Sequence, residues 1–336
     1  LLTKAVDGYG IFIESDIGGA LLQNNIINTT QGTCIFSRGY VVINNNYCGT
    51  DVSGETIFNV SEIYAEGPVT ITNNVLARII TLEDGLPLVV SNNTIGANKS
   101  KTQKFDLSRF VGSGQTAPTA QNLAAYETWN GVGEFKNNYI SSTHNGIYIR
   151  NITSPDSIHI QNNTFNNISA TGIRMRNITG VKISENIFTN ISSGNQSIDL
   201  LENNVAGVNT NDSGDADSYA SNTIANNGMN SPVIQSITYV GGGKYLLEGV
   251  LDNNVNNEGP FDLEICLSNG ATASEANCVD SLFFQENYIT QVTGGINPWQ
   301  AEVTVPGSDG TSIIKFSALA TNNAGFTSEF GTNVSI

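Results

Sequence analysis

Charge is scarce in this 336-residue chain: 13% of residues are charged, 30 acidic against 14 basic, for a net charge of −16. That balance argues against nucleic acid and anionic membrane surfaces as partners. With 2 histidines and 4 cysteines, none of the latter in Cys-x-x-Cys spacing, zinc chemistry lacks its ligands. Apolar runs stay below the roughly 18 residues that a membrane-spanning helix requires, so no insertion into a membrane is expected. Tryptophan is limited to Trp129 and Trp299, which leaves little aromatic platform for sugars. The chain opens at Leu1 without a secretory leader, as expected of a mature or excised segment.

What the chain does contain is a repeat. Short apolar–polar alternations run into an Asn pair and then another apolar residue, as in Leu22-Gln23-Asn24-Asn25-Ile26, Ile71-Thr72-Asn73-Asn74-Val75 and Phe135-Lys136-Asn137-Asn138-Tyr139. The second Asn recurs at 25, 46, 74, 93, 138, 163, 186 and 204, with steps of 21, 28, 19, 45, 25, 23 and 18. The step of 45 spans about two copies. Self-similarity at this period signals a solenoid, whose copies bury their apolar faces only against neighbours. Stretches such as Gly146-Ile147-Tyr148-Ile149 alternate with period two, which is strand spacing and excludes the helical solenoids. Asn tolerates the left-handed backbone needed at a tight corner, and Asn side chains one strand apart can bond as a ladder. The expected fold is all-β: a right-handed parallel β-helix (solenoid) followed by a β-sandwich domain. A propeller or sandwich in place of the solenoid would need longer strands and hairpin turns.

On these Asn corners and Gly-Ile-x-Ile strands, residues 10–208 resemble the secreted right-handed parallel β-helix repeat proteins, which include the pectate-lyase-like folds. The segments Asn211-Asp212-Ser213-Gly214-Asp215-Ala216-Asp217 and Ala320–Phe330 are similar to the junction and closing strand of surface proteins of that group. The resemblance implies an extracellular, secreted or cell-surface location, and it specifies a fold and not a reaction.

Three regions follow. Residues 1–208 form the β-helix, with a loop insertion at about 99–132; residues 209–231 form a polar junction; residues 232–336 carry longer alternating strands, read as an immunoglobulin-like β-sandwich. Cys34 with Cys48 and Cys266 with Cys278 lie close within one region each, so two local disulfides are expected. Sequons at Asn28, Asn59, Asn98, Asn151, Asn195 and Asn333 are glycosylation candidates of a surface protein, while at repeat corners such as Asn190 an Asn-rich composition favours the plainer account.

The junction is the metal candidate. Asn209, Asn211, Asp212, Asp215 and Asp217 offer alternating oxygens around Gly214, a partial calcium loop without the distal bidentate Glu. Stacking the coils by their Asn corners aligns Glu134, His159 and Lys182 in one outward column. The Gly-Ile strands align Tyr148, Arg174 and Asp199, and pair Arg150 with Arg176. Lyases of the resembled group use a basic residue, often with calcium, to remove the proton beside a uronate carboxylate, and these columns are where that chemistry would sit. The competing account is ordinary charge alternation on a solenoid face. The first functional expectation is therefore a non-catalytic extracellular structural or surface protein, able to assemble with itself into a filament, sheath or surface layer through an open strand edge. The alternatives are a polysaccharide lyase or epimerase acting on uronate glycans, and a glycan-binding adhesin.

Overall fold

The computed structural model describes residues 9–28, 32–82, 87–107, 123–129, 132–150, 158–178, 180–201, 206–215, 225–253, 259–270, 272, 276–290 and 295–336. The chain divides into two compact units: Leu1–Ile152 with Ile158–Arg174, and Thr153–Ser157 with Met175–Ile336.

The first unit is a parallel β-helix with three strands per coil. The strand before each corner pairs with its counterpart in the next copy, so that Val41 meets Val69, Val69 meets Leu88, Leu88 meets Gly133 and Gly133 meets Ile158. The short strands after the corners, Tyr47–Cys48, Val75–Leu76, Thr94–Ile95 and Tyr139–Ser142, form a second parallel column. The third column runs through Ser61–Glu66, Arg78–Leu82, Ala124–Trp129 and Asn145–Arg150.

The corners explain the repeat. Asn24, Asn45, Asn73, Asn92, Asn137 and Asn162 all adopt φ between 54° and 60°, the left-handed turn that Asn tolerates. The second Asn of each pair points inward. Its backbone N–H and side-chain Nδ2 both donate to the Oδ1 of the next Asn, linking Asn25, Asn46, Asn74, Asn93, Asn138 and Asn163 at 2.9–3.0 Å between side chains. Beside this ladder run inward columns of apolar side chains. Ile35, Ile63, Ile79, Tyr126 and Ile147 pair in succession, as do Ile43, Ile71, Val90, Phe135 and Ile160, and all of them are buried. Each such side chain contributes about 1.5–3 kcal/mol. Cys34 and Cys48 form a buried disulfide inside this unit.

The insertion leaves the coil at Gly96, whose φ of 79° and close approach to the Ser141 carbonyl leave no room for a Cβ. Phe105 and Leu107 then pack with Leu123 against Val60 and Ala77. The Gly112–Ala120 segment lies outside the described residues.

The second unit begins with Val181–Ser184, Ile187–Ile191 and Ile198–Leu200. Two antiparallel sheets follow. One joins Val233–Gly241, Lys244–Asn253 and Gly295–Thr304; the other joins Asp280–Ile289, Phe261–Ser268, Lys315–Thr321 and Val334–Ser335. Tyr245, Leu247 and Trp299 from the first sheet share one apolar cluster with Phe261, Ile265 and Phe316 from the second. Cys266 and Cys278 form the second disulfide. The glycine run at 241–243 makes the hairpin turn that its composition suggests.

Candidate functional site

A β-helical strand edge carries a row of N–H groups that need acceptors. In the first unit the leading corner residue meets this need from the next copy: Asn45 N donates to Thr72 O, Asn73 N to Ser91 O and Asn137 N to Gln161 O. Glu185 holds the equivalent left-handed corner at φ 54°, but its N–H donates to Glu264 Oε2 at 2.8 Å. The neighbouring amides follow the same rule. Val181 N donates to Asn226 Oδ1, Ile183 N to Thr327 Oγ1, and Leu200 N to Glu329 Oε1. Asn209 N occupies Glu329 Oε2 at 2.9 Å. Side chains of the C-terminal half thus stand in for a further coil.

A second charged cluster is buried in the first unit. Arg78 lies between Glu62 and Glu127, pairing with Glu62 at 3.6 Å and hydrogen-bonding Glu127. Its Nε donates to Ala124 O at 3.1 Å. Glu127 also accepts from Arg150 and from Trp129 Nε1, while the Arg150 guanidinium lies 3.3 Å from the Trp129 ring centroid. Thr33 Oγ1 donates to Glu62 at 3.0 Å.

Burial dominates the proton affinity of Glu62, Glu264 and Glu329. It pushes Glu62 up to about 7 against the opposing pull of Arg78 and Thr33, Glu264 up to about 7, and Glu329 up to about 8. In each case the folded-state pKa exceeds the ordinary value of 4.5. These groups therefore stabilise the fold fully below about 4.5, and that contribution is lost as pH rises through about 7 to 8. A higher melting temperature at pH 5 than at pH 8.5 is expected, with Glu329→Gln flattening the dependence; a flat or inverted profile would contradict it. The summed effect is on the order of several kcal/mol.

The structure distributes the sequence-derived candidates. Glu134 and His159 are paired neighbours, and Glu134 also bonds Lys136. Lys182 is held by Asp262 at 2.8 Å and approaches Glu286 at 3.8 Å. Tyr148 and Asp199 are buried, and Asp199 accepts from Gly207 N. Arg174 donates to Thr171 Oγ1 at 3.3 Å, and Arg176 Nε is buried without a hydrogen-bond partner among the described residues. Arg150 belongs to the Glu127 cluster described above.

At the junction, Asn209 Nδ2 donates to Leu200 O and Asn211 Oδ1 accepts from Ser231 N at 2.8 Å. Asp215 is buried and accepts from Asn230 N, while Gly214 N donates to Asp252. Asp217 lies outside the described residues. Among the sequons, Asn98 is buried, with Oδ1 accepting from Thr102 N and Gln103 N. Asn28, Asn59, Asn195 and Asn333 are partly exposed, and Asn151 lies outside the described residues.

Sequence reasoning missed Glu62, Glu127, Glu264 and Glu329. The available signal was positional, since Glu62 and Arg78 hold the same outward register in adjacent coils.

No protein-family model and no curated protein matches this chain. Among solved structures, the enzymatically active domain of bacteriophage CBA120 tailspike protein 2 aligns over 97% of this chain and 68% of that chain, with a TM-score of 0.27 and 9% identity. So distant a likeness leaves the chemistry to the residues themselves.

Proposed function

We propose that this chain is an extracellular, non-catalytic structural protein: a right-handed β-helix followed by an immunoglobulin-like β-sandwich. The observation that carries this reading is that two of the basic side chains a lyase would need are already bound to carboxylates. Lys182 is neutralised by Asp262, and Arg150 is bound to Glu127. A base already committed to a carboxylate is poorly placed to take a substrate proton. Two disulfides suit an oxidising compartment.

Self-association belongs to the same proposal and uses the N-terminal coil, where Phe12, Leu21, Tyr40 and Val42 are exposed. Calcium enters the same proposal as a structural ion at the polar junction, with Asn209, Asn211, Asp212, Asp215 and Asp217 as its oxygen donors.

One experiment addresses activity and metal together. Polyuronates are incubated with the protein, with and without calcium, and unsaturated product is followed by ultraviolet absorbance while melting is recorded in the same buffers. No product and a lower melting temperature after chelation are expected. Product formation that disappears in Lys182→Ala would replace this reading with a lyase.

A second reading, action on polysaccharide by paired carboxyls, draws on Glu62 and Glu127. A carboxyl at about 7 keeps its proton near neutrality, as a general acid requires. Reducing-end release abolished by Glu62→Gln would support it. Both groups are only 4–5% exposed, which favours the structural reading.

A further inference from the structure

We infer that two carboxyl clasps close the last β-helical coil of the second unit and release it as pH rises: Glu329 lets go of the Leu200 and Asn209 amides, and Glu264 of the Glu185 amide. This device stands apart from the structural role proposed above and lies within the second unit alone.

The outward N–H groups of that coil are met by two kinds of acceptor. Val181 N and Ile183 N donate to neutral ones, Asn226 Oδ1 at 3.1 Å and Thr327 Oγ1 at 2.8 Å. Glu185 N donates to Glu264 Oε2 at 2.8 Å. Leu200 N and Asn209 N donate to Glu329 Oε1 and Oε2, each at 2.9 Å. An amide or hydroxyl oxygen holds its donor at any ordinary pH, whereas a carboxyl changes charge.

The surroundings of each carboxyl set the direction. Glu264 is 1% exposed and Glu329 5%. Among the described residues neither has a cation within ion-pair distance, and Lys182, on the strand leading to the Glu185 corner, is held by Asp262 at 2.8 Å. The charged groups that face them are acids: Glu185 for Glu264, and Asp199, itself buried, for Glu329. The remaining neighbours of Glu264 are uncharged. Ser281 Oγ donates to its Oε1 at 2.7 Å, the Cys266–Cys278 disulfide lies beside it, and Phe284 and Leu319 pair with it on the flanking strands. A carboxylate accepts amide hydrogen bonds well, but burying the ion beside a second acid and without a countercharge costs more than those bonds contribute. Burial first, then the acid neighbours, push Glu264 up to about 7 and Glu329 up to about 8. Both clasps are therefore intact at pH 6 and ionised at pH 9, where the side chains turn to water and the amides lose their acceptors. The released coil then presents a row of unpaired N–H groups, the kind of edge on which another strand can pair.

Amide hydrogen exchange of the full chain, followed by NMR and corrected for base catalysis, tests the clasps one by one. Protection of the Glu185 and Leu200 amides is expected to fall at least about tenfold each between pH 6 and pH 9. The Asn74 and Asn93 amides, bound to neutral Asn oxygens in the first unit, should keep theirs. Glu329→Gln is expected to preserve protection at Leu200 while Glu185 still loses it, and Glu264→Gln to do the reverse. The inference fails if Glu185 and Leu200 in the parent chain are equally protected at both pH values. It fails also if Asn74 and Asn93 open with them, which is unfolding of the whole chain, or if the neutral variants lose protection as the parent does.

Discussion

Replacing Arg78 with methionine is expected to destabilise the first unit by about 3–5 kcal/mol. Arg78 is 3% exposed and is the cation between two buried acids, Glu62 and Glu127. Methionine fills much of the space of the arginine stem but leaves Glu62 without its ion-pair partner and the Ala124 carbonyl without its 3.1 Å donor. Glu127 is partly spared, because Arg150 and Trp129 remain bound to it. Combining Arg78→Met with Glu62→Gln should therefore cost less than the sum of the two single changes. Urea unfolding followed by Trp129 fluorescence, with Trp299 replaced by phenylalanine, reads the effect. A loss below about 1 kcal/mol would mean that the cluster behaves as a solvated surface pair.

Asn93→Ala should be comparably damaging, on the order of 4 kcal/mol. The Asn93 side chain accepts from Asn74 N and Nδ2 at 2.9 and 3.0 Å. Its Nδ2 donates to Ile71 O, Ser91 O and Asn138 Oδ1 at 2.9–3.1 Å. Truncation leaves these buried groups to find other partners in a space too small for bulk water. The adjacent residue is the control. Asn92 is exposed and serves chiefly through its φ of 58°, so Asn92→Ala should cost only about 1–2 kcal/mol and Asn92→Gly less. Equal effects at positions 92 and 93 would refute the division between corner and ladder.

That division shows why much of the fold could be read directly. A residue that must turn left-handed and a residue that must bond to its own kind above and below are both best served by Asn, so the chemistry repeats wherever the geometry repeats. Glu185 departs from this and still turns at φ 54°, because the corner needs only the backbone conformation. The buried acids were hidden for the opposite reason. Glu264 alternates with Leu263 and Ile265 as a solvent-facing strand residue would, yet it is buried and receives the Glu185 amide. Nothing local in Phe261-Asp262-Leu263-Glu264 announces a partner 79 residues earlier. Glu127 was obscured by the insertion, which places it 49 residues from Arg78, although the two sit in adjacent coils. The outward columns were ordered correctly where Glu134 meets His159. Exposure was misjudged at Tyr148 and Asp199, which are buried. A strand pattern says which way a side chain points and not what covers it.

The step of 45 between Asn93 and Asn138, read from the sequence as about two copies, is a single coil carrying an insertion. The two are stacked neighbours, and their 3.0 Å bond matches links spanning 19 or 25. Excursion length is thus decoupled from the stacking that holds the copies together. The segment leaving at Gly96 is a natural graft point, where foreign peptides could be displayed or existing ones exchanged while the scaffold beneath keeps its register.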